Sequence, residues 1–166
     1  MSLIHVDSAA RRLRFGGMEM DCEIGRGGVC PAADKREGDG CTPLGRWPLR
    51  GVLLRPGRVD PTGVKLPWRW IREGDGWSDD SADPAYNRPV RLPRPFSAEN
   101  LWRNDDAYDV IIVLGQNDAP PVPEAGSAIF FHLYEGRPTA GCIAVDRADM
   151  VRLLPLFQPG DGMEIA

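Results

Sequence analysis

The chain has 166 residues, enough for one domain with a core of its own, and its 42% hydrophobic and 27% charged residues are the balance of an ordinary globular protein. The longest apolar run, Val110 to Leu114, is far too short to cross a bilayer, so no membrane span is expected. A net charge of -4 supplies no positive field for nucleic acid or an anionic membrane surface, and neither is expected as a partner.

Nineteen glycines and sixteen prolines favour turns and short strands over long helices, which predicts a mainly β domain over residues 1–166. The N-terminal residues lack the basic start, apolar stretch and cleavage site of a secretory signal, as in a cytoplasmic protein or one whose leader has been removed. Residues 3 to 30 alternate apolar and polar pieces around Gly16-Gly17 and Gly27-Gly28 and predict strands joined at tight turns. Between 35 and 76, Leu66, Trp68 and Trp70 fall on one face of a period-two strand. Arg36 to Gly40 recurs as Arg72 to Gly76, which reads as repeated turn chemistry rather than an internal repeat. Neither copy has the ligand pattern of a calcium loop, and Gly25-x-Gly27-Gly28 lacks dinucleotide spacing, so no cofactor is implied.

Residues 78 to 97 form a long, Pro-rich polar stretch of the kind that covers or builds binding sites. Ser97 is placed to cap a short helix to Trp102, and Asp146 another from Arg147 to Leu154, stopped by Pro155. Between them, Tyr108 to Leu114 and Ser127 to Phe131 read as buried strands at the centre of the sheet.

Only two histidines exist, and His132 ends one of those buried runs, where a rigid strand would hold an imidazole at the edge of a loop. Ten residues on, the small-residue turn Thr139-Ala140-Gly141 leads into Cys142. A glycine there lets amide N–H groups converge on one oxygen, and a neighbouring imidazole can draw a proton from a thiol. The other cysteines, at 22, 30 and 41, show no zinc-type spacing. Cys22 and Cys30 can pair, but the spacing does not decide it.

Gly126-Ser127-Ala128-Ile129-Phe130-Phe131-His132 followed by Pro138-Thr139-Ala140-Gly141-Cys142-Ile143 resembles the signature of YkuD-type L,D-transpeptidases. Lys35-Arg36-Glu37-Gly38-Asp39-Gly40 with Thr42-Pro43-x-Gly45 resembles that family's N-terminal element. Further likeness lies in Trp77 with Asp79-Asp80, in Tyr86-Asn87, and in Tyr108-Asp109 followed by Gly115-Gln116-Asn117, so it covers roughly residues 12 to 165. The resemblance implies a β-sandwich or barrel with one or two short helices and a cysteine acyltransferase of bacterial cell-wall formation and cell shape, acting as a monomer in the cell envelope or periplasm.

It further implies peptidoglycan stem tetrapeptides as substrate, with release of terminal D-alanine and transfer of the acyl group to an amine. On it, Cys142 is the nucleophile, His132 the base, and the Ala140-Gly141 turn the source of oxyanion donors. Thr139, Ala140, Asn117, Tyr86 and Trp77 are the expected substrate contacts, and no metal is implied. Many members carry His or Ser before Gly-Cys and Arg two residues after Cys, where this chain has Ala140 and Ala144; Arg103, Arg137 or Arg147 are the candidates to replace that charge. The competing readings are an L,D-carboxypeptidase, a non-catalytic peptidoglycan-binding module, and a thiolate metal site.

Overall fold

Gly16 and Gly17, at φ 56° and 79°, form the two-residue turn whose positive φ values match the twist of a hairpin. They join β2 (Arg12–Phe15) to β3 (Met18–Asp21), and β1 (Leu3–Asp7) lies antiparallel on the other side of β2. A computed structural model describes all of residues 1–166. The strands that follow are β4 (Val29–Cys30), β5 (Thr42–Pro43), β6 (Gly45–Leu54), β7 (Trp68–Trp70), β8 (Asp75–Ser78), β9 (Pro89–Arg91) and β10 (Ala98–Asn100). The last part of the chain holds β11 (Val110–Leu114), β12 (Phe130–Leu133), β13 (Ile143–Val145), the helix α1 (Arg147–Leu153) and β14 (Gly162–Ile165).

The main sheet runs β13-β12-β11-β6-β14-β1-β2-β3, with β7 paired to β6 beside this path. Its two ends meet: Glu23, just past β3, exchanges both backbone hydrogen bonds with Ala144 of β13, at 2.8 and 3.0 Å. A sheet that curls onto itself leaves few unpaired edges and encloses one face. Period-two alternation then sorts side chains between two cores. Val110, Ile112, Phe131, Leu133, Ile143 and Val145 point inward to a cluster of 25 buried residues, against which α1 packs Met150 and Leu153. Ile111, Phe130 and Cys142 point outward to a second cluster of 10, covered by the small sheet β10-β8-β9.

The architecture is mainly β with one short α-helix, as the sequence predicts. The two Arg-Glu-Gly-Asp-Gly copies adopt the same turn: Asp39 and Asp75 accept the N–H of Arg36 and Arg72 at 2.8 and 2.7 Å, with Gly38 and Gly74 at φ 77° and 83°. This is shared turn chemistry.

Several elements differ from the prediction. Residues 97–102 form no helix, because β8 claims their backbone: Glu99 of β10 pairs with Trp77, and the Ser97 hydroxyl donates to Asp79 instead of capping. The second helix is present, but Asp146 makes no side-chain cap bond, and Pro155 lies in the 3-10 turn Leu154–Leu156. Leu66 is buried and lies ahead of β7, whereas Trp68 and Trp70 face solvent as an edge-on pair 4.9 Å apart. The strand expected from Ser127 begins at Phe130, because Ala128, at φ 53°, is in the left-handed region and breaks the extended backbone.

Candidate functional site

Adjacent strands bring Cys142 and His132 to one face. β12 and β13 are parallel, with His132 opposite Ala144, so Phe130 stands opposite Cys142 and the thiol lies diagonally from the imidazole. Rather than ending its strand, His132 is the third of four residues in β12 and pairs with Ile111 on one side and Ala144 on the other. That placement fixes the ring more firmly than a loop edge would.

The turn before the thiol is locked by two threonines. Thr139 Oγ1 accepts the Gly141 N–H at 3.0 Å and donates to the Cys142 carbonyl at 2.7 Å. Thr42 Oγ1 accepts the Gly25 N–H at 2.8 Å and donates to the Gly141 carbonyl at 2.9 Å. Gly141 itself is at φ 130°, and a Cβ there would stand 2.9 Å from the Cys41 carbonyl oxygen, so a larger residue has neither the conformation nor the room.

Cys41 is also one end of a disulfide with Cys30, Cα to Cα 6.0 Å, while Cys22 is free and buried in the larger cluster. The Cys22–Cys30 pairing that the spacing permits is not made. With both sulfurs bonded to each other, the only close group of metal-type side chains, Cys30, Asp39 and Cys41, offers no thiolate. The disulfide instead closes the loop that carries Lys35, Glu37 and Gly38.

These three residues, with Cys142, His132, Thr139 and Ala140, line a cavity of about 350 Å³. Tyr108 and Glu99 also line it; the phenol donates to the carboxylate, and its ring packs edge-on to His132 at 5.2 Å between centroids. Of the Pro-rich stretch 78–97, only Asp79 reaches this lining.

The His132 ring is bonded through Nδ1 to the Leu133 carbonyl at 2.8 Å. A carbonyl only accepts, so Nδ1 carries the proton and Nε2 presents its lone pair. Burial lowers the imidazole below its ordinary pKa. The Cys142 thiol donates to the Ala128 carbonyl at 3.2 Å and accepts the Phe130 N–H at 3.4 Å. Burial, and secondarily the charge of Glu99, pushes the thiol up to about 12. The resting pair is therefore neutral thiol and neutral imidazole, a donor and an acceptor that can exchange one proton when a substrate arrives.

Other expected contacts lie behind the wall. The Tyr86 hydroxyl donates to Glu37 at 2.6 Å and accepts the Gly126 N–H at 3.0 Å. Trp77 is buried against Phe130 and donates its indole N–H to Asn87 at 2.9 Å. Asn117, at φ 51°, spends its amide on Val122 and Gly126 inside its own loop. None of the three lines the cavity, and Trp77 instead shares a separate surface pocket with Trp68, Leu53 and Val113. Among the candidate replacement cations, Arg147 is paired to Asp109 away from the cavity, whereas Arg103 lines it with its guanidinium held by Asp105 and Glu135 at 2.5 and 2.7 Å. Arg137, largely exposed, and Arg26, which sequence reasoning passes over, stand at the rim. Glu99 and Thr42 are also passed over, since nothing in a lone Glu or Thr marks its distant partner.

A family model described as the L,D-transpeptidase catalytic domain, YkuD, matches residues 2–165, nearly the whole chain. No curated protein and no solved structure matches at a significant level. The chain belongs to the YkuD family of L,D-transpeptidase catalytic domains.

Proposed function

We propose that this member of the family is an active L,D-transpeptidase in which Cys142 forms a thioester with a peptidoglycan stem tetrapeptide and passes the acyl group to an amine. The observation that carries the reading is the shared cavity: a thiol and an imidazole on neighbouring strands, with the imidazole tautomer set so that Nε2 accepts.

In this reading His132 Nε2 takes the Cys142 proton as sulfur attacks the carbonyl carbon of the third stem residue. The carbonyl π electrons move onto oxygen, and backbone donors offset that charge. Because the Gly141 N–H is spent on Thr139, the donors narrow to the N–H groups of Ala140 and Cys142. Collapse of the intermediate breaks the C–N bond, and the imidazolium returns its proton to the leaving D-alanine amine. An incoming amine then attacks the thioester, His132 takes its extra proton, and sulfur leaves and regains that proton from the ring. Water in place of the amine gives the carboxypeptidase outcome.

The Cys30–Cys41 disulfide supports placing the chain in the cell envelope of a bacterium, since such bonds persist in oxidising compartments. The test is intact mass after incubation with a disaccharide-tetrapeptide carrying diaminopimelate, for wild type and Cys142→Ala, with products scored for D-alanine and dimers. An adduct or turnover that requires Cys142 is expected, and dimers identify transfer. Absence of both, while another family enzyme turns the substrate over, removes the reading and leaves a binding module.

A further inference from the structure

Asn87 lies outside the cavity lining and is 4% exposed, yet every hydrogen-bonding position of its amide is used. Its Oδ1 accepts the Trp77 indole N–H at 2.9 Å and the Ala128 backbone N–H at 3.0 Å. Its Nδ2 donates to the carbonyls of Gln116 at 3.1 Å and Asn117 at 2.7 Å. Two donors and two acceptors around one amide leave a single orientation, since a flipped group would set N–H against N–H.

The Ala128 bond matters most. Ala128 is not glycine, and at φ 53° it occupies a conformation that costs an alanine roughly 1 kcal/mol or more. The bond from its N–H to Asn87 holds it there. In that conformation its carbonyl faces the Cys142 sulfur and accepts the S–H at 3.2 Å. A path of two hydrogen bonds thus runs from a side chain behind the wall to the thiol.

We infer that Asn87 is a positioning residue for the nucleophile: through the Ala128 peptide it fixes the carbonyl that orients the Cys142 thiol toward the cavity. This rests on Cys142 being the nucleophile. The carbonyl stabilises the protonated sulfur and sets the direction from which the proton is handed to His132. The titratable groups that face the thiol are His132, Tyr108, Glu99, Glu135 and Lys35, and none of them is bonded to Asn87.

The test compares Asn87→Gly, which keeps the positive φ of 55° without the amide, with Asn87→Asp, which keeps the accepting oxygen. Phe15→Leu, in the larger core, serves as a control of similar stability loss. Alkylation of Cys142 by iodoacetamide is followed by peptide mass across pH, beside kcat and KM for D-alanine release. Asn87→Gly is expected to move the alkylation midpoint down by at least one pH unit and to lower kcat about tenfold, with KM within threefold. Asn87→Asp holds the midpoint at or above that of wild type, and Phe15→Leu leaves it in place. Should Asn87→Gly fail to fold, Asn87→Ser, whose shorter side chain withdraws from Ala128, replaces it with the same expectation. An unchanged midpoint in Asn87→Gly, or in Asn87→Ser where it takes its place, or an equal shift in Phe15→Leu, overturns the inference. If wild type releases no D-alanine, the transpeptidase reading fails separately, while alkylation still decides the role of Asn87.

Discussion

Replacing Thr42 by Val removes one buried oxygen and keeps the shape of the side chain. Thr42 is 0% exposed, and its hydroxyl is the partner of both the Gly25 N–H and the Gly141 carbonyl. Leaving a buried polar group unpaired costs about 1–3 kcal/mol, so the two groups together cost roughly 2–6 kcal/mol, of which the added methyl returns a part. For a chain of this size that is a fall in Tm of about 5–15 °C. The effect is local as well as global, because the freed Gly141 carbonyl belongs to the residue before Cys142, the proposed nucleophile. A displacement of about 1 Å at a reacting group can cost on the order of 100-fold in rate, so kcat for D-alanine release is expected to fall further than stability alone requires. Thr42→Ser, which restores the hydroxyl, should recover most of kcat. Urea unfolding of the three proteins at pH 7, paired with steady-state rates, tests this. A Thr42→Val protein within 0.5 kcal/mol (roughly the spread of ordinary surface changes) and within twofold in kcat would refute the bracing role of Thr42.

Breaking the Cys30–Cys41 bond in a Cys30→Ser/Cys41→Ser protein should cost about 3 kcal/mol by loop entropy for a separation of 11 residues, read as a lower urea midpoint. Since the closed loop carries Lys35 and Glu37 into the cavity wall, KM should rise more than kcat falls; an unaltered KM would separate the loop from binding. The buried thiol also sets an alkaline limit. With Cys142 raised from an ordinary thiol near 9 to about 12, the unfolded chain loses that proton first. Its contribution is therefore intact below pH 9 and is lost at roughly 1.4 kcal/mol per pH unit between 9 and 12. Urea unfolding of wild type and Cys142→Ala from pH 8 to 11 should show the steeper alkaline fall in wild type, and parallel curves would contradict the burial of the thiol.

The residues of the candidate site that meet in the cavity are legible in the sequence because each carries its own signal. His132 sits within one apolar run and Cys142 just ahead of another, two strands that the sheet pairs side by side, and Gly141 marks a backbone that a larger residue does not fit. What stayed hidden is what depends on distant partners. In sequence Glu99 falls within a helix because Ser97 caps well in isolation, yet pairing with β8 offers that backbone more hydrogen bonds than a single helical turn could. Tyr86, Asn117 and Trp77 were assigned to the groove by position in the motif, whereas their polar atoms are used inside the protein to hold Glu37, the 117–126 loop and Asn87. The disulfide was undecidable because pairing depends on where the Cys30 and Cys41 backbones meet through β4 and β5, a contact that no local pattern announces.

The neutral resting pair and the disulfide constrain each other. A compartment oxidising enough to maintain Cys30–Cys41 also attacks exposed thiolates, which oxidise far more readily than protonated, buried sulfur. Cys142 meets that constraint by sitting at 7% exposure with its proton on the Ala128 carbonyl, and Cys22 meets it by burial alone, which also pushes it up to about 12. On the proposed mechanism Cys142 must then be ionised within the complex, which calls for an imidazole that is neutral at rest and free at Nε2. Burial of His132 and its bond to Leu133 supply both conditions. A thiolate–imidazolium pair at rest would react faster with small electrophiles but would be exposed to the same oxidants that form the disulfide. Slow alkylation of wild-type Cys142 at pH 7, alongside normal turnover of the tetrapeptide, is the signature that separates these two designs.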